Sequence, residues 1–230
     1  MHIITLLNLS GYRFRKFHAI RCGFIFISLY LSTTSMMAQT NNITGVYNLR
    51  GVMEMASGFK LNNDSSFEFY FSYGALDRYG SGKWSLINNK IAFNSKPYPG
   101  KDFKMIDSGH LNNNFITITI QDKNTMLLPF VYAFTGELKE GEYPTKADSH
   151  GMIKLSGSNA DTLYLLFELV PERVSSFAID TKTRNNFVFT FEPWAVEVFF
   201  KDFELTIDGN DLTGKHPIIN KEDCLYEKEE

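Results

Sequence analysis

FEFYFSYGALDRYGSGKWSLI, residues 67–87, is the stretch whose reading decides the fold. Phe67, Phe69 and Phe71 alternate with Glu68, Tyr70 and Ser72. Successive side chains of an extended strand point to opposite faces, so this alternation reads as a strand with one buried face. Gly74, Gly80 and Gly82 permit backbone angles that other residues avoid. The spacing predicts a hairpin: Phe67–Tyr73 runs out, ALDRYGSG turns, and Lys83–Ile87 returns. In that hairpin Trp84 packs its ring on the core while its indole N–H seeks an acceptor. Asp77 and Arg78 sit at a solvated loop tip. Two readings of the loop stand side by side: an ordinary turn, or the mouth of a ligand cavity lined by Tyr73, Asp77, Arg78, Tyr79 and Trp84.

The same period recurs in Ile116–Gln121, Phe187–Phe191 and Phe203–Ile207. Asn62–Asp64, Asn88-Asn89, Pro97–Gly100, Asn112–Asn114, Gly136–Gly141, Gly157–Asp161 and Asp208–Asn210 are turn signals between them. Leu163–Val170 is the nearest approach to a helical stripe, and a buried strand explains it equally well. Many short strands with turns at this spacing predict an all-β fold, an antiparallel meander forming a barrel or a sandwich.

The first forty residues read differently. Arg13, Arg15, Lys16 and Arg21 precede the apolar run Cys22–Leu31 and then STTSMMAQT, without an acid. That is the order of a secretory signal over residues 1–38, cut after Ala38, with an apolar run too short to span a bilayer. The expectation is export to the periplasm, outer surface or medium, with no stable membrane span after cleavage. Cys22 precedes the apolar run, so it does not mark a lipid anchor, and its loss leaves Cys224 without an internal disulfide partner.

The net charge of −3 becomes −7 on residues 39–230 once the leader's four cations are removed. An acidic domain with no basic stripe argues against nucleic acid and anionic lipid as partners. With 21 phenylalanines the chain has ample apolar surface for a core.

Gly45–Ser95 combines a Gly-Val-Tyr start (Gly45–Tyr47), Leu61 before Asn62–Asp64, the aromatic strand Phe67–Tyr73 and the return Gly82-Lys83-Trp84. This pattern resembles the opening hairpins of lipocalin-like exported bacterial proteins, and the resemblance implies a meandering β fold and little chemistry. Thr145–Leu155, TKADSHGMIKL, is similar to a hairpin of the transthyretin-like modules related to carboxypeptidase regulatory domains. In that likeness Asp148 caps the turn, Gly151 takes an angle only glycine tolerates cheaply, and the module is accessory.

Catalytic patterns are sparse. Ser156-Gly157-Ser158 lacks the glycines of a nucleophile elbow. Cys224 has no histidine near it in sequence. His110, His150 and His216 are far apart and none has metal-ligand spacing; Asp148-Ser149-His150 reads as a solvated turn. Glu137, Glu140, Glu142, Glu168, Glu172 and Asp180 are scattered, and β spacing cannot show whether two of them face one another. No cofactor is implied. The expected organisation is lipocalin-like hairpins over 39–127, a transthyretin-like β unit over 128–184, closing strands over 185–214 and a mobile charged tail over 215–230. The expected function is non-catalytic binding of a small molecule or a protein partner. A structural or accessory envelope role is the alternative, and a carboxylate-dependent hydrolase a third.

Overall fold

Alternation carries over into a closed barrel. In the computed structural model, which describes residues 43–74, 76–157 and 159–230, β1 (Gly45–Arg50), β2 (Met55–Leu61), β3 (Ser66–Tyr73), β4 (Leu76–Ile87) and β5 (Lys90–Asn94) follow one another as antiparallel neighbours. The chain then leaves and returns as β15 (Phe203–Asp208), β16 (Asp211–Gly214) and β17 (Cys224–Lys228). β15 pairs with β5 and β17 with β1, so eight strands close the ring. Closure leaves no long free edge. The leader expected over residues 1–38, with Cys22, lies outside the described residues.

Phe67, Phe69 and Phe71 point inward, as expected, and Glu68 and Tyr70 outward. Phe59 sits among them, with ring centroids 5.0 Å from Phe69, 4.6 Å from Phe93, 5.9 Å from Phe200 and 5.3 Å from Tyr226. Edge-to-face and tilted contacts of this kind favour aromatic pairs beyond their burial alone. Each such ring, fully buried, contributes about 2 kcal/mol of transfer free energy.

Two expectations about this region are corrected. The stretch expected as a loop is strand from Leu76 onward: β3 ends at Tyr73, Gly74 has φ +58°, and β4 already begins at Leu76. Gly80 and Gly82 lie within the strand, where their role is close approach. A Cβ on Gly82 would stand 2.1 Å from the Asn94 carbonyl oxygen. One on Gly80 would stand 2.8 Å from the Val198 carbonyl oxygen. The tail is not mobile charge but β17, with Cys224 and Tyr226 buried and Leu225 and Glu227 turned to solvent.

Between β5 and β15 the chain builds a second body. Its strands are β6 (Phe103–Gly109), β7 (Phe115–Ile120), β8 (Val131–Thr135), β9 (Thr145–Lys146), β10 (Met152–Ser156), β11 (Thr162–Phe167), β12 (Val174–Ala178) and β13 (Asn186–Phe191), and β14 (Glu197–Val198) follows them but joins the barrel's sheet. A short 3-10 turn, Thr125–Phe130, precedes β8. One sheet has the order β10-β7-β13-β6 and the other β12-β11-β8-β9. Ile116, Ile118, Leu163, Leu165, Phe187 and Phe189 meet in their shared core. Phe177 on β12 meets Phe189 on β13 with ring centres 4.7 Å apart, edge to face across the sandwich.

The strands therefore divide differently from the expected boundaries. β6 and β7, expected among the barrel hairpins, belong to the sandwich, and so does Phe187–Phe191, expected to close the first sheet. β13 pairs in parallel with β7 and antiparallel with β6. Period-two burial fixes which face of a strand is covered, not which sheet covers it.

Asn42–Glu230 nonetheless forms one compact unit. β14 adds in parallel to the outer edge of β4, Glu197 opposite Tyr79. Ser95 and Phe200 clasp where the two crossing chains meet: Ser95 N–H donates to the Phe200 carbonyl at 2.9 Å and Phe200 N–H to Ser95 Oγ at 3.1 Å. Phe200 then enters the barrel core.

Candidate functional site

The five residues expected to line a cavity are parted by strand alternation. Arg78 is buried, and its guanidinium holds Glu172 at 2.6 Å, with Nε donating to the Val196 carbonyl at 3.4 Å. This corrects its expected place at a solvated tip: the residue faces inward on a strand whose edge the insertion covers. Tyr73 and Tyr79 are exposed and Asp77 is on the surface; the Tyr79 hydroxyl donates to the Pro193 carbonyl at 3.2 Å. Trp84 packs on the barrel core and its Nε1–H donates to the Asn62 carbonyl at 3.1 Å, as its amphipathic ring requires. None of the five lines the clefts described below.

Arg78 belongs to a larger buried polar cluster. Arg173 donates from Nε to Asp102 Oδ2 at 3.0 Å and from its two terminal nitrogens to the carbonyls of Glu197 and Ala195, each at 2.7 Å. Its guanidinium also lies over Tyr98, 4.9 Å from the ring centre. Lys96 reaches the buried Glu197 at 3.2 Å. Burial pushes the Asp102 carboxyl above its usual range even with Arg173 beside it. The cluster joins barrel to sandwich, and its carboxylates are each held by a cation.

A serine and a histidine also meet. His216 Nε2 lies 3.1 Å from Ser57 Oγ, both side chains buried. His216 Nδ1 accepts the N–H groups of Ile218 and Ile219, each at 3.1 Å. That fixes the proton on Nε2, which therefore donates to Ser57, and Ser57 Oγ in turn donates to the Tyr70 carbonyl at 3.0 Å. A general base needs its free lone pair on the nucleophile. Here the lone pair faces away, so the pair fastens the 215–222 loop to β2 and does not activate Ser57.

Asp148 Oδ1 accepts the N–H groups of His150 and Met152, each at 2.9 Å, and Gly151 has φ +78°. These are the cap and the left-handed turn position that the likeness of this hairpin implies for the two residues. Among the described residues no group of three His, Cys, Asp or Glu side chains could hold a metal ion. Glu168 is held by Lys146 at 2.9 Å and Tyr132 at 3.0 Å. Burial pushes the Cys224 thiol up.

Two adjoining clefts lie on the sandwich. A cleft of about 660 Å³ is lined by Thr135, Asn159, Asp161, Ile179, Asp180 and Lys182, among others. A smaller one of about 270 Å³ shares Asn159, Thr181 and Lys182 and extends to Asn113 and Asn185. Thr181 Oγ accepts the Ala160 N–H at 2.8 Å, and Asp180 caps the Lys182 N–H at 3.1 Å, so the shared wall is fixed by its own hydrogen bonds. Carboxylate, amide, hydroxyl and ammonium groups converge here with a small apolar floor at Ala160 and Ile179. That set can orient a small polar ligand. The sequence showed turns at Gly157–Asp161 and acids at Asp180 but had no signal that three separate connections meet.

A slot of about 350 Å³ opens on the side of the sandwich, lined by Lys101, Phe103, Lys104, Met105, Phe177 and Trp194 among others. A cleft of about 370 Å³ lies over the His216 loop at the barrel mouth. No helix of the described residues is long and apolar enough to cross a membrane.

The chain matches no known family model, and no curated protein sequence is similar to it. Among solved structures it is similar to the Helicobacter pylori beta clamp bound to a DNA ligase peptide, at 9% identity and a TM-score of 0.14 over 90% of this chain. This chain spans 63% of that protein's length. A likeness at that score carries no argument, and the molecule's role rests on its own geometry.

Proposed function

We propose that this is an exported, non-catalytic binding protein in which a lipocalin-like barrel is a solid pedestal and the inserted, transthyretin-like sandwich carries the binding surface. The observation that supports it is the contrast between the two bodies. Phenylalanines occupy the barrel interior where a lipocalin-type ligand would sit, with Phe59, Phe67, Phe93 and Phe200 at 4.6–6.5 Å centroid spacing. The polar cleft of about 660 Å³ opens at the end of the sandwich. That volume lies within the usual range for small-molecule sites. Its lining favours a ligand with several hydroxyl or amide groups. Export follows the reading of residues 1–38.

Native mass spectrometry of the protein purified from its own host tests this. The expected result is a non-covalent adduct that disappears in the double variant Asp161→Ala/Lys182→Ala while its melting temperature stays unchanged. An adduct retained by that variant, or no adduct in wild type, refutes the reading. A leader left attached in the mature mass removes the export part alone.

A further inference from the structure

We infer that the bare edge of β12 is a docking strand for an extended acidic peptide of a partner protein. This surface is separate from the polar cleft and does not depend on it.

The backbone supplies the first argument. Ile179 N–H donates to the Asp161 carbonyl at 2.8 Å, which sets the ladder alternation between β11 and β12. In an antiparallel pair every second residue turns its N–H and C=O to its neighbour. Ser175 and Phe177 therefore bond β11, and Val174, Ser176 and Ala178 turn their backbone groups outward. Among the described residues, no strand lies beyond β12.

Other sheet edges of the sandwich are guarded. β6 carries a bulge at Ile106 together with Lys104 and Asp107. β10 carries Lys154, and β9 has two residues including Lys146. Charges, bulges and shortness are how proteins blunt an edge against stray pairing. β12 reads VSSFA, with no charge, no proline and no bulge. An edge left open in a molecule that guards its others suits a partner strand.

The side-chain environment selects the partner. The slot beside β12 lies between its Phe177 and the Phe103–Met105 end of β6. Lys101 Nζ lies 4.5 Å over the Phe177 ring, and Lys104 stands exposed nearby. Among the described residues, neither ammonium has a carboxylate within 4.0 Å. Glu192 is the single acid of the lining. The surroundings are cationic on a chain that is acidic as a whole. A strand laid against β12 would place alternate side chains in the apolar slot and its acids at the lysine rim.

The test uses residues 39–230 with an eight-residue peptide of alternating valine and aspartate, and a valine–lysine peptide as control. The expected result is binding of the acidic peptide alone, with amide exchange slowed at Ser176 and Ala178. Ser176→Pro removes an outward N–H and leaves the β11 ladder intact, as proline permits at an edge. It and Lys104→Glu are each expected to weaken binding at least tenfold. Lys104→Glu is a surface change and carries the test if the proline variant does not fold. Equal binding of the lysine peptide, undiminished binding by both variants, protection elsewhere, or pairing of two copies of this chain through β12 would each overturn the inference.

Discussion

Lowering the pH from 7.5 to 4.5 is expected to cost the folded state about 2.5 kcal/mol through His216 alone. The imidazole is 3% exposed and ringed by Phe69, Phe71 and Tyr226. Its Nδ1 accepts two backbone N–H groups, so the proton that would charge it has to displace them. Lys215 and Glu222 are the charged side chains that line the cleft over its loop. Burial lowers its pKa from 6.5 to about 4. The unfolded chain then binds more protons between these values, so stability rises with pH. The contribution is fully present above about pH 7 and is lost as pH falls toward 4. With each unit worth about 1.4 kcal/mol, integration from pH 7.5 to 4.5 gives the figure above.

The assay is urea unfolding at both pH values, followed by Trp84 and Trp194 fluorescence, on wild type and His216→Asn. Asparagine keeps an acceptor near the Nδ1 position and does not titrate. Asp64, Glu68, Asp148 and Glu168, held below their usual range by hydrogen bonds and lysines, act mainly below this window and equally in both proteins. The variant is expected to be less stable at pH 7.5 and to lose about 2.5 kcal/mol less on acidification. Equal losses in the two proteins, or a native-state NMR titration of His216 centred between pH 6 and 7, would refute the reasoning.

Three further outcomes follow from the packing. Tyr226→Phe removes a buried hydroxyl that has no hydrogen-bond partner among the described residues, so stability by urea unfolding is expected to stay level or rise by up to about 1 kcal/mol. Gly82→Ala sets a methyl against the Asn94 carbonyl, backbone against backbone, and is expected to cost at least about 3 kcal/mol or yield insoluble protein, read by solubility and melting temperature. Arg173→Met leaves Asp102 buried without its cation and is expected to cost about 3–5 kcal/mol at neutral pH, with part recovered in the double variant Arg173→Met/Asp102→Asn. A double variant no more stable than the single one would remove the charge argument.

Strands were legible from sequence because burial on one face imposes period two, and Phe67–Phe71 and Ile116–Ile120 show it plainly. The connectivity was not. After Asn94 the barrel waits until Phe203 for its next strand, and no Gly- or Ser-rich linker marks either crossing. Phe187–Phe191 alternates just as a barrel strand does, yet its partners are β6 and β7. In the tail, inward Cys224 and Tyr226 are flanked by Glu227, which meets Arg50, and by Glu229, which accepts from Asn48 at 2.7 Å. Charge on the wet face of a strand had read as disorder. The expected ALDRYGSG turn is strand from Leu76 onward for a related reason: glycine suits a turn and a close backbone approach alike, and Gly80 and Gly82 serve the second. The clefts belong to connections distant in sequence, for which periodicity has no signal.

The insertion is not a passenger on the barrel. Phe200, the residue that returns the chain from the sandwich, packs between Phe67, Phe69 and Phe93, so the barrel's core is completed by the segment leaving the other body. Ser95 Oγ donates to the Ser81 carbonyl at 2.7 Å, tying the outgoing chain to β4, and β14 covers the same strand's edge. Arg78 is carried by β4 itself and binds Glu172 from the sandwich. Core packing, backbone pairing and buried charge thus all cross one junction centred on β4. Pulling the bodies apart would open a cavity among phenylalanines and strand a buried guanidinium together, each costing several kcal/mol. The two bodies should therefore unfold in a single transition, and a sandwich loaded with ligand should raise the melting temperature of the barrel as well.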